Sequence, residues 1–223
     1  MSADDDSFRI ELRNIKVLEG PSLELDIDNL PDTPQDAFKS WFHEAVKAGV
    51  REPHAMTVST VDKEGYPDAR VLILKNVDSR GWHFAVNADS PKGKQLANNG
   101  RAALTFYWPH LARQVRLKGK AFTLPEKENA QDFRDRPLAS RISAVASKQS
   151  EILPDRKALS QSLAETEAIM AKDPFAGVKK WVVYAVVPDS VEFWQGDSSR
   201  LHKRVQFVRN QNETSWKKNM LWP

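Results

Sequence analysis

The 223-residue chain carries 33 basic and 30 acidic side chains, a net charge of +3, and no cysteine; the near-balance gives no bulk-charge case for nucleic acid, and the missing thiols exclude disulfides, thiolate catalysis and zinc–thiolate sites. Its 40% hydrophobic content, with seven tryptophans and ten phenylalanines, suits the core of one large domain. No run of about 18 apolar residues occurs and the start, MSADDDSF, is acidic, so neither a membrane span nor a secretion signal is expected, and a cytoplasmic protein is.

Residues 1–33 read as an extended N-terminal arm, because Asp26, Asp28, Asp32 and the prolines of PSLELDIDNLPDTP disfavour a helix. Residues 34–223 read as one domain. Its first element is a helix from Pro34 to Gly49, with Phe38, Trp41, Phe42, Ala45 and Val46 on one face. Thr33 is its expected N-cap, Pro34 its first residue and Gly49 its stop. Short strands follow at Ala55–Val61, Ala69–Asn76 and Trp82–Asn87, separated by turn residues at 63–67 and 78–81. Ser90 caps a short helix to Asn99, and strands resume at Arg101–Trp108 and Arg113–Leu124. In the latter, Val115 and Leu117 alternate with Gln114, Arg116, Lys118 and Lys120, giving one apolar and one basic face. Pro125–Ala146 reads as helical pieces broken at Pro137, and Asp155–Lys172 as a long helix with Leu159, Leu163, Thr166 and Met170 on one stripe. Strands at Lys180–Val187, Ser190–Trp194, Val205–Arg209 and Ser215–Leu221 complete the set. The fold class expected is α+β, mostly β, with antiparallel strands curling into a barrel flanked by helices.

Several stretches place cations where an anionic ligand could be held. Arg70 and Lys75 bracket an apolar run, Val71, Leu72, Ile73 and Leu74; taken alone this is a buried strand with snorkelling ends. Ser90-Pro91-Lys92-Gly93 opens a helix, where backbone N–H groups and a lysine favour phosphate; a capped turn with an exposed lysine is the plainer account. Finally, VPDSVEFWQGDSSRLHKR, Val187–Arg204, runs from a strand through a polar turn into Arg200, His202 and Arg204. That is either one wall of an anion pocket or a hairpin with a solvated basic end.

The order PDSVEFWQG…RLHKR closely resembles the C-terminal signature of the FMN-dependent pyridoxine/pyridoxamine 5′-phosphate oxidases, and the likeness extends from about Phe38 to Pro223. It implies a homodimeric FMN-binding split barrel whose C-terminal region takes part in dimerisation. By this resemblance Arg70, Val71, Leu72, Ile73, Leu74, Lys75, Lys92, Gln114, Gln149, Ser150, Trp194 and Arg204 hold the flavin, Gln149 and Ser150 reaching it from a loop. Lys75, Arg136 and Ser140 hold the substrate phosphate, and Arg200 and His202 face the reacting carbon. The implied reaction turns pyridoxine or pyridoxamine 5′-phosphate into pyridoxal 5′-phosphate, with hydride passing to the flavin and O2 reduced to H2O2. No metal, nucleic acid or membrane partner is implied.

The chain departs from the family pattern at three sites, four residues in all. Pro91 replaces an arginine, Ala85-Val86 replaces an aromatic–hydroxyl pair, and Asp132 replaces a tyrosine four residues before Arg136. The first two remove contacts to the flavin phosphate, each charge-assisted one worth roughly 1.5–3 kcal/mol. Asp132 sets a carboxylate beside a phosphate clamp. Two alternatives follow: a related flavin oxidase acting on another substrate, such as a reduced phenazine precursor, or a non-catalytic protein that binds flavin or pyridoxal phosphate.

Overall fold

A computed structural model of the chain describes residues 3–18, 25–27, 29–209 and 215–223. Its helices are α1 (Ala3–Asn14), α2 (Pro34–Lys47), α3 (Pro91–Asn99), α4 (Glu126–Arg134), α5 (Leu138–Ala146) and α6 (Arg156–Lys172). Its strands are β1 (Ala55–Val61), β2 (Pro67–Ile73), β3 (Asn76–Asp78), β4 (Gly81–Asn87), β5 (Arg101–Trp108), β6 (Arg113–Thr123), β7 (Trp181–Gln195), β8 (Lys203–Val208) and β9 (Lys217–Met220). The strand order is β2–β1–β5–β6–β7–β4–β3, with β8 added to β7 and β9 to β8. The α+β class and the curled antiparallel sheet are as expected. No helix among the described residues is long and apolar enough to cross a membrane.

The chain divides into two compact units. The first takes the residues up to Pro53, Tyr107–Val115 and Val191–Pro223; the second takes His54–Phe106 and Arg116–Ser190. A single 34–223 domain was the sequence expectation. No linker marks the division because β5, β6 and β7 each run from one unit into the other, so the borders fall inside strands.

In the first unit, Thr33 caps α2 by accepting from the Asp36 amide at 3.2 Å, and Gly49 takes the left-handed conformation (φ +73°) just past its end. The buried face of α2 carries Phe38 and Trp41, which meet Trp108 and Phe193. Arg113, 4% exposed, stacks on Trp41 at 4.3 Å and donates to Gln195 and Glu44 at 2.9 and 2.6 Å. A buried guanidinium is tolerated here because it gains both a carboxylate and an amide oxygen. In the second unit, β1 pairs with β2 from Ala55↔Ile73 to Val61↔Pro67, and β4 pairs with β7 from Trp82↔Val186 to Asn87↔Trp181. Met56, Val58, Trp82, Phe84, Leu104, Leu117 and Val186 are fully or nearly fully buried there.

Three expectations are corrected. The N-terminal arm is not extended throughout: residues 3–14 form α1, a segment free of proline and glycine with Arg13 in its last turn. The helix-breaking prolines lie after it, and residues 1–2, 19–24 and 28 of the arm are outside the described residues. The strands expected at Lys180–Val187 and Ser190–Trp194 are one, β7, which carries Pro188 in its interior. Third, the Arg70–Leu74 run is not a buried strand. β2 stands at the sheet edge, with Val71 67% and Ile73 48% exposed.

The passage of β7 at Pro188 depends on Gly119 of β6. A Cβ there would lie 2.0 Å from the Val187 carbonyl oxygen and 2.7 Å from the Pro188 Cα, both backbone atoms of one strand. Gly119→Ala is therefore expected to destabilise the protein by roughly 2–4 kcal/mol, read as a lowered midpoint in urea unfolding. An unchanged midpoint would show that β6 and β7 can separate at this point.

Candidate active site

The second unit gathers two groups of cations. The first is built by β2, β1 and α3. Arg70 donates to the Thr60 hydroxyl at 2.7 Å and the Val58 carbonyl at 3.2 Å, and pairs with Asp68 on its own strand. Gln95, one turn after Lys92 on α3, accepts from Thr60 and from Arg70 and donates to Asp68 at 3.3 Å. Lys92 is only 6% exposed, and its Nζ donates to Gln149 Oε1 at 2.6 Å. Burial lowers its pKa from the ordinary lysine value, the nearby Arg70 charge adding to the effect and Asp68 opposing it. Ser90 caps α3 by accepting from the Gly93 amide at 3.2 Å. Gly93 lets the helix start close to β4, since a Cβ would meet the Asn87 and Ala88 carbonyl oxygens at 2.5 and 2.6 Å. Pro91 occupies the first helical position, where its missing N–H costs nothing. Val86, in place of a polar side chain, is core.

The second group joins the end of β2 to α4, α5 and β7. The chain leaves β2 after Ile73, so the strand alternation that would set Arg70 and Lys75 on opposite faces ends before Lys75. The Lys75 amide donates to the His83 carbonyl at 2.8 Å. Its ammonium pairs with Asp132 Oδ1 at 3.2 Å, while Asp132 Oδ2 accepts from the Trp181 indole at 2.6 Å. The Arg136 guanidinium lies 4.2 Å over the Trp181 ring and donates to the Ser140 carbonyl at 3.1 Å. Its Nε is buried with no hydrogen-bond partner among the described residues. Burial lowers the Arg136 pKa from the usual arginine value, and Asp132 acts the other way.

The first unit holds Gln114, Trp194, Arg200, His202 and Arg204. Gln114 sits half-buried on β6. Past β7 the chain turns at Asp197, whose carboxylate accepts from the Ser199 amide and hydroxyl at 2.8 and 2.5 Å. Arg200 closes that turn with a left-handed backbone (φ +68°), its amide donating to the Asp197 carbonyl at 3.0 Å. The His202 ring lies against Trp194 at 4.8 Å between centroids, and its Nδ1 accepts from the Asp197 amide at 3.1 Å. With Nδ1 an acceptor, the proton of the neutral ring is assigned to Nε2. Arg204 is committed to Glu192 at 2.9 Å and to the Trp222 carbonyl at 2.8 Å. Among the sequence-selected residues, then, Arg70, Lys92 and Gln149 form one group, Lys75, Arg136 and Ser140 a second, and Trp194 and His202 a third. Ser150 (φ +71°) lies beside Gln149, and both are exposed.

Known proteins resemble the chain over most of its length. Residues 42–170 match the family model described as pyridoxamine 5'-phosphate oxidase. The chain belongs to that family. Residues 181–223 match the pyridoxine 5'-phosphate oxidase C-terminal dimerisation region. Relatives include a pyridoxine/pyridoxamine 5'-phosphate oxidase of Pseudomonas paraeruginosa, 44% identical over 197 residues, covering 87% of this chain and 91% of the relative. Among solved structures, PhzG of Burkholderia lata 383 in complex with tetrahydrophenazine-1-carboxylic acid is 33% identical, with a TM-score of 0.81 over 90% of this chain and 98% of that one. An FMN-binding, oxidase-related protein of Nostoc punctiforme shares the fold at 16% identity and a TM-score of 0.69. The fold is the split barrel of this family.

The first cation group suits the phosphate of the family's flavin. Lys92 is buried against a neutral amide oxygen, so a full positive charge is held out of water without a carboxylate of its own. Arg70 supplies a second cation within its electrostatic reach. Sequence reasoning missed Thr60, Gln95, Asp68 and Trp181. Asp68 could have been found, because it sits two residues before Arg70 on the same strand face; Gln95 lies three residues past Lys92 on one helix face. Trp181 carried no local signal. Lys92→Met is expected to weaken FMN binding about 10- to 100-fold, the loss of one charge-assisted contact, measured by titrating apoprotein with FMN. Unchanged affinity would remove Lys92 from the flavin site.

Proposed function

We propose that the protein is an oxidase that converts pyridoxine or pyridoxamine 5′-phosphate to pyridoxal 5′-phosphate in the cytoplasm, working as a homodimer. It is an FMN-dependent oxidoreductase of its family. The observation that carries the substrate assignment is the presence of two separate cation groups in one unit. Arg70 with Lys92 suits the phosphate of the cofactor, and Lys75 with Arg136 suits the phosphate of a substrate. The dimer rests on the match of residues 181–223 to a dimerisation region, and the exposed apolar edge of β2 is consistent with it.

The side chains of this chain bind and orient rather than react. Arg136 offers a buried Nε without a partner among the described residues, the kind of donor that a ligand oxygen satisfies. Arg200 stands at the tip of a tight turn, and His202 presents an Nε2–H with its ring braced on Trp194. In this reading both face carbon 4′ of the substrate, where two electrons and two protons are lost in forming the aldehyde from the alcohol. With Nδ1 accepting from the Asp197 amide, the His202 Nε2–H can donate to the 4′ oxygen and orient it. FMN, when bound, supplies acceptance of the hydride and passage of both electrons to O2, which leaves as H2O2.

One observation favours a second reading. Asp132 occupies Lys75 and thereby weakens the case for a dianionic substrate, and the solved relative PhzG is described with a carboxylic acid ligand. Oxidation of a reduced phenazine-type acid would use the same fold and cofactor.

The deciding experiment is anaerobic addition of pyridoxine 5′-phosphate to the purified, FMN-loaded protein. Bleaching of the flavin absorbance is expected, with peroxide formed on admitting air. A flavin that stays oxidised would shift the assignment to the second reading, and failure of FMN to bind at all would end both. Arg200→Ala should lower turnover by roughly 100-fold or more while flavin content stays near wild type. Parallel loss of flavin would make Arg200 a cofactor or folding residue instead.

A further inference from the structure

Lys75 and Asp132 are placed to decide which anion the substrate site accepts. The ammonium and carboxylate meet at 3.2 Å with side chains 31% and 20% exposed, so the pair is only partly open to water. Asp132 cannot simply swing aside. Its second oxygen is held by the Trp181 indole at 2.6 Å, and that ring lies under the Arg136 guanidinium at 4.2 Å. The carboxylate is thus held against Lys75 and tied to the ring that carries Arg136, the two cations that would grip a substrate anion. Two cations and one carboxylate leave the group a single net positive charge.

We propose that Asp132 is a specificity-determining residue: a resident counter-ion that neutralises Lys75 and flattens the preference for a doubly charged phosphate over ligands bearing one negative charge or none. This rests on the reading of Lys75 and Arg136 as the substrate-anion site. A phosphate dianion entering there either breaks the Lys75–Asp132 pair or sits beside a carboxylate, and both oppose its binding. A singly charged carboxylate, or a neutral ring with no anion, meets less opposition and can still use the unpartnered Arg136 Nε. The side chain acts through Lys75, so its effect should fall on charge discrimination and not on flavin binding.

The test compares 4-deoxypyridoxine 5′-phosphate with 4-deoxypyridoxine, which share a ring and lack an oxidisable group at carbon 4′. Both are titrated calorimetrically into FMN-loaded wild type, Asp132→Asn, Lys75→Gln and the double variant. Asparagine keeps the shape of the side chain and can still accept from the Trp181 indole. The ratio of affinities, phosphorylated over non-phosphorylated, should rise about tenfold or more in Asp132→Asn, with flavin content unchanged. The same substitution in the Lys75→Gln background should leave the ratio where it was. A ratio unmoved by Asp132→Asn, or raised equally without Lys75, overturns the proposal. If wild type binds neither compound, the vitamer reading of the site fails by itself. Inorganic phosphate followed by phosphorus NMR then decides the charge claim: its affinity must rise about tenfold in Asp132→Asn, and an unchanged affinity sinks it.

Discussion

A cation taken out of water has to be answered by an anion or by hydrogen-bond acceptors, and the second unit answers its cations in two different ways. Lys92, almost wholly buried, is met by the neutral Gln149 oxygen. Its positive charge is left largely uncancelled, which is what a phosphate monoester needs from its host. Lys75 is met by a carboxylate. Lys92 therefore keeps its charge available where that of Lys75 is largely spent, although each group sets one carboxylate, Asp68 on Arg70 and Asp132 on Lys75, against two cations. The proposed function follows from that contrast between the two lysines: in it the first group holds the cofactor phosphate, and the second raises the question of what the substrate carries.

The scaffolding explains why these groups hold their places. The cap of Ser90 on Gly93 and the close start of α3 against β4 fix the backbone that presents Lys92. The β1–β2 register sets Arg70 opposite Val58, so its guanidinium reaches the Val58 carbonyl and Thr60. Trp181, at the start of β7, serves two neighbours at once: its indole N–H fixes Asp132 and its face carries Arg136. A planar guanidinium on an aromatic face keeps its charge while shedding water on one side. In the first unit the turn at Asp197 does comparable work, bonding Ser199, Arg200 and His202 through one residue.

Much of the secondary structure was legible because local rules and tertiary packing agreed. The Thr33-Pro34 start and Gly49 end of α2, Ser90 as a cap and the break at Pro137 all rest on chemistry within a few residues. Where they disagreed, the sequence misled. Asp26, Asp28 and the prolines bear only on their own stretch and say nothing about Ala3–Asn14, which is helical. Pro188 looks like a strand break, yet β7 runs through it where Gly119 allows close approach. The apolar run after Arg70 looks buried, yet β2 is an edge, and the order of strands in a sheet is not written in any one strand.

By itself, then, the sequence determined the periodicities, caps and turns, and the ordered cationic motifs that tie the chain to its family, because these depend on residues near one another along the chain. Only the tertiary structure decided the partners of those cations. Lys75, just past β2, meets Asp132 of α4, and Trp181 closes the group from β7. A charge is cancelled or left available by what lies within a few ångströms of it in space, and Coulomb attraction takes no account of separation along the chain. That is why Asp132 reads in the sequence only as a departure from a pattern, and in the fold as the counter-ion of Lys75.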